Sequence, residues 1–288
     1  MNSPKELRTQ INSIGKIQQI TKAMQNVAAS KMRSAQRRME SSIAYATKIR
    51  EVVEHVSNDY DEHRNPYLKR HKEIKKVGYI VISTDRSLCG GLNINLFKIA
   101  LDHANEFSSR NIAVDWCLFG SKAVSFFNNF SANIVAQVTG LKEPPKVEDL
   151  LGGVKVMLDA YRNEEIDLLF IAHNKFVSTL IQSPAVVSLL PLSPESKHSK
   201  SSYNVSYLYE PTKSSLIDIL MSRYLETQVY QAVVDNLACE QVARMVAMKN
   251  ATENAEEIIE SLKLMYNKAR QTSITNEIAE IVGGADAV

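Results

Sequence analysis

Two long segments, one at each end of the chain, carry apolar residues at helical spacing with no proline to interrupt them. In the first segment, apolar residues recur at steps of mostly three and four from Leu7 to Val56, which is the period of one face of an α-helix. Gly15 is the one weak helix former in this stretch, and the next proline is Pro66. At 1.5 Å per residue the pattern predicts a single helix of roughly 80 Å.

The first segment also begins with a helix start signal. Ser3 is suited to be the N-cap and Pro4 the first helical residue, and Glu6 stands where its side chain can close a capping box. The predicted helix therefore begins at Pro4.

The second segment runs from Leu216 to Ile281 with near-helical spacing, until Gly283 and Gly284 provide a stop. It predicts a helix of roughly 100 Å. Patterns of this length without a breaker are typical of coiled coils rather than of compact bundles. Residues 7–39 contain no acidic residue and seven basic ones, whereas the segment after Pro211 is acid-rich. Opposite net charge favours pairing of the two helices with each other.

The central part of the chain has a different period. Strands are predicted at Val77–Thr84, Ile112–Phe119, Asn133–Val138, Ile166–Ala172 and Tyr203–Tyr209, and helices at Leu92–Phe107, Ser121–Asn129 and Val147–Arg162. Because strands and helices alternate, a largely parallel α/β sheet is the simplest arrangement. The predicted organisation is thus an N-terminal helix over residues 1–60, an α/β domain over 75–210, with a surface loop near 192–202, and a C-terminal helix over 211–288.

Composition argues against several classes of protein. Lys plus Arg exceed Asp plus Glu by only two (34 against 32), so the chain lacks the strong positive charge of a dedicated nucleic-acid binder. Three cysteines, Cys89, Cys117 and Cys239, stand far apart, and the histidines have no ligand spacing, so no disulfide framework, metal site or cofactor is expected. No apolar run reaches the roughly 20 residues that span a bilayer, and no secretory leader is seen. A reducing, cytoplasmic location fits best.

The segment Ser83–Asn93, STDRSLCGGLN, is the most enzyme-like feature. Gly90 and Gly91 lie between a predicted strand and a predicted helix, where backbone N–H groups can hold a phosphate. However, neither of the common phosphate-binding glycine spacings is present, and a double glycine here is more often a tight turn. Two alternatives remain open at this point: a nucleotide-dependent α/β enzyme, and a coiled-coil protein that binds nucleic acid through the basic stretch Lys31–Arg38.

The C-terminal segment is predicted to leave apolar surface uncovered. From Arg270 onward the second helix outruns its partner, so Ile274, Ile278, Ile281 and Val282 have nothing in the chain to cover them. Another protein must enclose this end.

Three stretches of sequence carry a resemblance to a known family: ITKAMQNVAASKMR, STDRSLCGGLN and ARMVAMKNATENAEEIIESLKLMYNKARQTSITNEIAEIVGGA. Together they resemble the gamma subunits of bacterial F-type ATP synthases, in register from about Pro4 to Val288. The resemblance implies a non-catalytic rotor shaft that couples proton translocation to ATP synthesis or hydrolysis. It implies as partners the alpha and beta subunits of the catalytic head, the epsilon subunit and the ring of c subunits. It also implies attachment, through these partners, to the cytoplasmic face of the bacterial plasma membrane.

The resemblance further implies which residues contact partners. Met24, following Ala23, and Arg244 match positions that contact an acidic loop of the catalytic beta subunit, with Gln271 and Thr275 in the same contact region. Tyr207 and Glu210 of the YLYEP stretch match the foot that meets the c ring and the epsilon subunit. No residue is expected to bind ATP, Mg²⁺ or any other cofactor.

Overall fold

A computed structural model of the chain describes residues 3–58, 67, 73–130, 132–179, 181–191 and 213–285. Its elements in chain order are α1 Pro4–Asn58, β1 Lys76–Ile82, α2 Leu92–Ser108, β2 Ala113–Phe119, α3 Ser121–Phe127, a short 3-10 turn Asn128–Phe130, β3 Asn133–Val138, α4 Val147–Arg162, β4 Leu168–Phe176, β5 Gln182–Leu190 and α5 Lys213–Ala285. The two long terminal helices and the alternating centre are confirmed.

The start of α1 has the predicted capping box. The Ser3 N–H donates to Glu6 Oε2 at 3.0 Å, and the Glu6 N–H donates to Ser3 Oγ at 3.3 Å. Two of the backbone donors that every helix start leaves unpaired are satisfied in this way.

The five strands form one sheet in the order β3-β2-β1-β4-β5. The pairs β1–β2, β1–β4 and β2–β3 are parallel, and β4–β5 is antiparallel, so the predicted, largely parallel sheet is confirmed. Strand β5 was not predicted: Pro184 interrupts its apolar pattern, and proline is tolerated in a strand mainly at a sheet edge. The predicted strand Tyr203–Tyr209 lies outside the described residues.

Helices cover both faces of the sheet. On one face α2 and α3 enclose an aromatic cluster in which the Tyr79 ring stacks on Trp116, with ring centroids 4.9 Å apart. On the other face α4 packs through Met157, and the long helices contribute Ile49 from α1 and Leu225 from α5. Burial on both faces explains why β1 is an unbroken apolar run.

The chain divides into two compact units. One comprises residues 31–243, with the sheet, the second half of α1 and the first part of α5. The other comprises residues 1–30 and 244–288, and its described part is the paired stretch of α1 and α5. Each long helix therefore contributes to both units.

Within the unit of residues 31–243, α5 meets β4 through a buried polar cluster. Asn174 Nδ2 donates to Asn236 Oδ1 at 2.8 Å, and the Cys239 thiol donates to the Asn174 carbonyl at 3.4 Å. Gln231 Nε2 donates to Asp235 Oδ1 at 2.8 Å. Burial raises the pKa of Asp235 to about 6, against the opposing effects of this hydrogen bond and of Lys175.

We expect Asp235→Asn to stabilise the chain at pH 8 and to have little effect at pH 4. The folded state binds the proton more tightly than the unfolded state, so the carboxyl lowers stability progressively as the pH rises from about 4 through about 6. The gain at pH 8 should be on the order of 1 to 3 kcal/mol. Urea unfolding at both pH values measures it. An equal effect at pH 4 and pH 8 would mean that the ionised form of Asp235 is not the source.

Gly120, the residue between β2 and α3, has a backbone conformation that only glycine adopts readily, with φ 92° and ψ 140°. A Cβ at this position would lie 2.6 Å from both the carbonyl oxygen and Oγ of Ser83. Ser83 cannot move away easily, because its Oγ donates to the Phe119 carbonyl and accepts the Ala123 N–H.

We expect Gly120→Ala to destabilise the chain by more than about 3 kcal/mol, because backbone strain and overpacking act together. Gly140→Ala is the matched control: Gly140 also has a positive φ, of 71°, but its Cβ would have open space around it. The control should lose about 1 kcal/mol, the strain of the left-handed conformation alone. Chemical unfolding of both variants would contradict this account if the two losses were equal.

Candidate functional site

The paired stretch of α1 and α5 has a seam with alternating spacings of three and four residues. The inward side chains of α1 are Leu7, Ile11, Ile14, Gln18, Thr21, Gln25 and Ala28, and those of α5 are Met248, Thr252, Ala255, Ile259, Leu262, Tyr266, Ala269 and Ser273; all are buried or half-buried. This is the heptad repeat of a coiled coil. The antiparallel coiled coil expected from the sequence is confirmed.

The register of this pair follows from one contact. Thr21 Oγ1 lies 2.8 Å from Thr252 Oγ1. Because the helices are antiparallel, each residue toward the start of α1 corresponds to one residue toward the end of α5. Counting from Thr21 and Thr252 in this way places Pro4 level with Ala269. Helix α5 continues to Ala285, about 24 Å beyond that level.

The stretch of α5 beyond Ser273 is exposed throughout its described side chains. Its large apolar residues include Ile274, Ile278 and Ile281, the last of which is 72% exposed. The expectation that this end of α5 is uncovered is confirmed for the described residues.

Helix α1 carries a second exposed apolar surface, which we call the outer stripe. It consists of Ile17, Ile20 and Val27, each 53–59% exposed, with the half-buried Met24 between them. The apolar periodicity from Leu7 to Val56 includes both these residues and those of the seam, so it did not separate the two faces. The inward positions follow a 3.5-residue repeat. In this stretch those positions hold the polar residues Gln18, Thr21 and Gln25, and the larger apolar side chains face outward.

The same part of α1 is positively charged. Arg8, Lys16 and Lys22 are exposed, and no acidic residue stands between Glu6 and Glu40. Of these, Lys16 lies beside the outer stripe, whereas Arg8 and Lys22 lie on the opposite side of the helix. The positive charge of this part of α1 as a whole is complementary to a partner surface with acidic groups.

The proposed contact residues differ in exposure. Met24 is half-buried, Gln271 and Thr275 are exposed, and Arg244 is only 8% exposed. The Thr275 hydroxyl donates to the Gln271 carbonyl at 2.9 Å, one turn away along α5. Arg244 is therefore largely desolvated by its own chain.

The four residues do not lie at one level of the helix pair. Met24 lies level with Lys249, five residues or about 8 Å from Arg244, whereas Gln271 is 27 residues or about 40 Å from Arg244 along the unbroken helix α5. Because the rise of the helix separates them, any contact region that includes all four residues has to extend over two levels. Tyr207 and Glu210, the expected foot, lie outside the described residues.

The glycine turn has the geometry of a structural turn. Gly90 has a φ of 60°, and Leu88, two residues earlier, has a φ of 67°. Glycine adopts a positive φ readily, so Gly90 is suited to forming this turn. At the end of β2, the N-terminus of α3 already binds the carboxylate of Asp85. The Ser121 N–H donates to Asp85 Oδ1 at 2.8 Å. The N–H of Leu141, which follows β3, donates to Asp85 Oδ2 at 3.1 Å. Asp85 therefore occupies donors at the start of α3 and after β3, whereas Gly90 and Gly91 precede α2.

All three thiols are buried. Cys89 is buried and lies within 3.5 Å of Asn93 Nδ2, and burial raises the pKa of Cys117 and of Cys239 to about 12. Burial also lowers the pKa of His173 to about 4. Within the part of the chain that the structure describes, no cluster of His, Cys, Asp and Glu could hold a metal ion. None of the described helices is both long and apolar enough to cross a membrane.

Comparison with known proteins decides the family. A family model described as ATP synthase matches residues 3–288. The ATP synthase gamma chains of Coxiella burnetii strains Dugway 5J108-111 and RSA 493 / Nine Mile phase I are each 51% identical over 289 residues, covering 100% of this chain and of the relative. The chain belongs to the ATP synthase gamma-chain family. It is a non-catalytic subunit, the central rotor stalk that couples ion transport to ATP synthesis or hydrolysis by rotation.

Solved structures share the fold of this gamma chain. Two cryo-EM structures of the Euglena gracilis mitochondrial ATP synthase, one of the rotor and one of the OSCP/F1/c-ring assembly, align with TM-scores of 0.66 and 0.69 at 19% identity. They cover 94% and 99% of this chain, and 98% and 94% of theirs. The partners of the gamma chain are the alpha and beta subunits, the epsilon subunit and the c ring, and it is peripherally associated with the membrane as part of that complex.

If the glycine turn is structural, Gly90→Ala with Gly91→Ala should leave the ATPase turnover of the assembled catalytic head within about twofold of the parent. Neither Cβ would meet a neighbour closer than 3.5 Å, so the effect is limited to about 1–2 kcal/mol of strain at Gly90. Steady-state hydrolysis by the purified head tests this. Loss of turnover in a variant that still folds and assembles would favour a phosphate site instead.

Proposed function

We propose that this gamma chain passes rotation to the catalytic beta subunits through two contact levels on its helix pair. The first level is the outer stripe with Met24 and, nearby, Arg244. The second is the uncovered end of α5 with Gln271 and Thr275. The observation that carries the proposal is that both levels expose large apolar side chains that the chain itself does not cover.

The chemistry of the first level supports an acidic partner surface. Lys16 lies beside the outer stripe, and the guanidinium of Arg244 can make charge-assisted bonds to a carboxylate. Because Arg244 is already largely removed from water by its own chain, an approaching carboxylate gains its attraction with little further desolvation of the arginine.

The second level differs in kind. The neutral side chains of Gln271 and Thr275 stand beside Ile274 and Ile278 on a single helix, which supports a largely apolar collar as the partner surface. About 33 Å of helix separate Gln271 from the level of Met24. A substitution at Gln271 can therefore affect the contact made by Met24 only through a partner that spans both levels.

We infer further that Tyr207 and Glu210 belong to the foot that meets the c ring and the epsilon subunit. We also infer that the subunit works at the cytoplasmic face of a bacterial plasma membrane. The bacterial origin of the relatives that match along the whole chain supports this location.

Met24→Lys should assemble and hydrolyse ATP but pump protons poorly. The added cation would face the acidic surface of the beta subunit, and a charge pair at an effective dielectric near 20 contributes a few kcal/mol before desolvation. An extra attraction of about 1.4 kcal/mol at one rotational angle slows escape from that angle roughly tenfold. Proton pumping in inverted vesicles, divided by ATP hydrolysis in the same vesicles, is the measurement.

Two control variants separate charge from packing. Met24→Leu keeps the volume and apolar character and should retain the parental ratio of pumping to hydrolysis. Gln19→Lys adds a cation at an exposed position on the same helix, away from the outer stripe, and should also retain it. If Met24→Lys kept the parental ratio as well, the contact assigned to Met24 would be wrong.

A further inference from the structure

The seam of the helix pair contains a polar layer where a coiled coil normally has apolar residues. Thr21 of α1 and Thr252 of α5 are each only 9% exposed, and their hydroxyl oxygens are 2.8 Å apart. Gln18 and Gln25, the neighbouring seam residues of α1, are polar as well. The apolar residues of this stretch, in the outer stripe, point away from the seam.

The two hydroxyls form a directed chain. Thr21 Oγ1 also lies 3.0 Å from the Gln18 carbonyl, and Thr252 Oγ1 lies 2.8 Å from the Met248 carbonyl. Each hydroxyl has one proton, so one donates across the seam while the other donates to the carbonyl of its own helix. The shorter contact to Met248 favours donation from Thr21 to Thr252 and from Thr252 to Met248. No hydroxyl is left unpaired in this arrangement.

Apolar packing alone does not fix the register of such a seam. A heptad repeat matches itself again after a shift of seven residues, which moves one helix along the other by about 10 Å. After such a shift Thr21 would face Ile259 or Met245, and Thr252 would face Ile14 or Ala28. The hydrogen bond between the helices exists only in the observed register.

We propose that Thr21 and Thr252 are positioning residues that set the antiparallel register of the helix pair. A buried polar pair at a seam position is a common means of specifying register in coiled coils. By setting the register, the threonines fix the height of Met24 relative to Arg244 and the length of α5 left uncovered. The inference concerns the pairing itself and does not depend on the proposed contacts with the beta subunit.

Disulfide trapping in the full-length chain tests the register directly. Ile14→Cys with Ile259→Cys joins residues that face each other in the observed register, and Leu7→Cys with Ile259→Cys joins residues one heptad out of it. The native cysteines are buried and stay in place, with the parent chain as the blank. Copper-phenanthroline oxidation followed by non-reducing electrophoresis gives the yield of each closed loop.

Adding Thr21→Val and Thr252→Val should raise the yield of the out-of-register disulfide about fivefold, the population change expected from losing one hydrogen bond of typical net strength. Thr21→Ser with Thr252→Ser keeps both hydroxyls and should restore the parental pattern. An unchanged out-of-register yield in the valine pair, or equal yields in the serine and valine pairs, would overturn the proposal.

Thermal unfolding of the same variants gives a second, independent reading. Each single valine variant leaves one hydroxyl facing a methyl group, whereas the double variant replaces both partners by well-packed apolar groups. The double variant should therefore unfold at a higher temperature than either single variant. If the two single effects simply add, the hydroxyls act independently and do not set the register.

Discussion

The helix pair depends on a narrow seam that uses two of every seven residues of each helix. A seam of this kind holds two helices together, but it leaves most of each helix surface facing outward. Any apolar residue outside the two seam positions is then exposed until another protein covers it, as Ile17, Ile20 and Ile281 are. In a gamma chain this is a consequence of the architecture: a pair of helices thin enough to turn inside a ring of subunits cannot bury its own outer surface.

Helix α5 changes its mode of packing along its length. Up to Ala243 it lies in the unit that contains the sheet, with Leu225, Val229 and Ala238 almost fully buried together with polar residues such as Asn236. From Thr252 onward its buried and half-buried described side chains are those of the seam. One continuous helix thus serves as a core element of a globular unit and as half of a coiled coil, so that no loop separates the two functions.

Local signals in the sequence predicted most of the fold. The capping residues Ser3 and Glu6 and the β-branched run of β1 act over a few residues, and they were confirmed. Periodicity did not identify the seam, because steps of three and four fit two faces of the helix and the outer stripe around Met24 is more apolar than the seam around Thr21. Strand β5 was missed because Pro184 interrupts its apolar pattern. Motifs alone also did not show that Met24 and Gln271 lie at different levels, which follows from the rise of the helix.

A rotating shaft needs surfaces that favour one angle and still release it. Burial of the apolar outer stripe is non-directional and falls off as soon as the surfaces separate, so by itself it discriminates weakly between neighbouring angles. Charged groups such as Lys16 and Arg244 act over a longer range, and hydrogen bonds to them have preferred directions. In the proposed contact, the apolar area would slide and the basic groups would supply the preference for particular angles. Both kinds of group lie on one helix pair with a single register, so a torque applied to the pair would move them together.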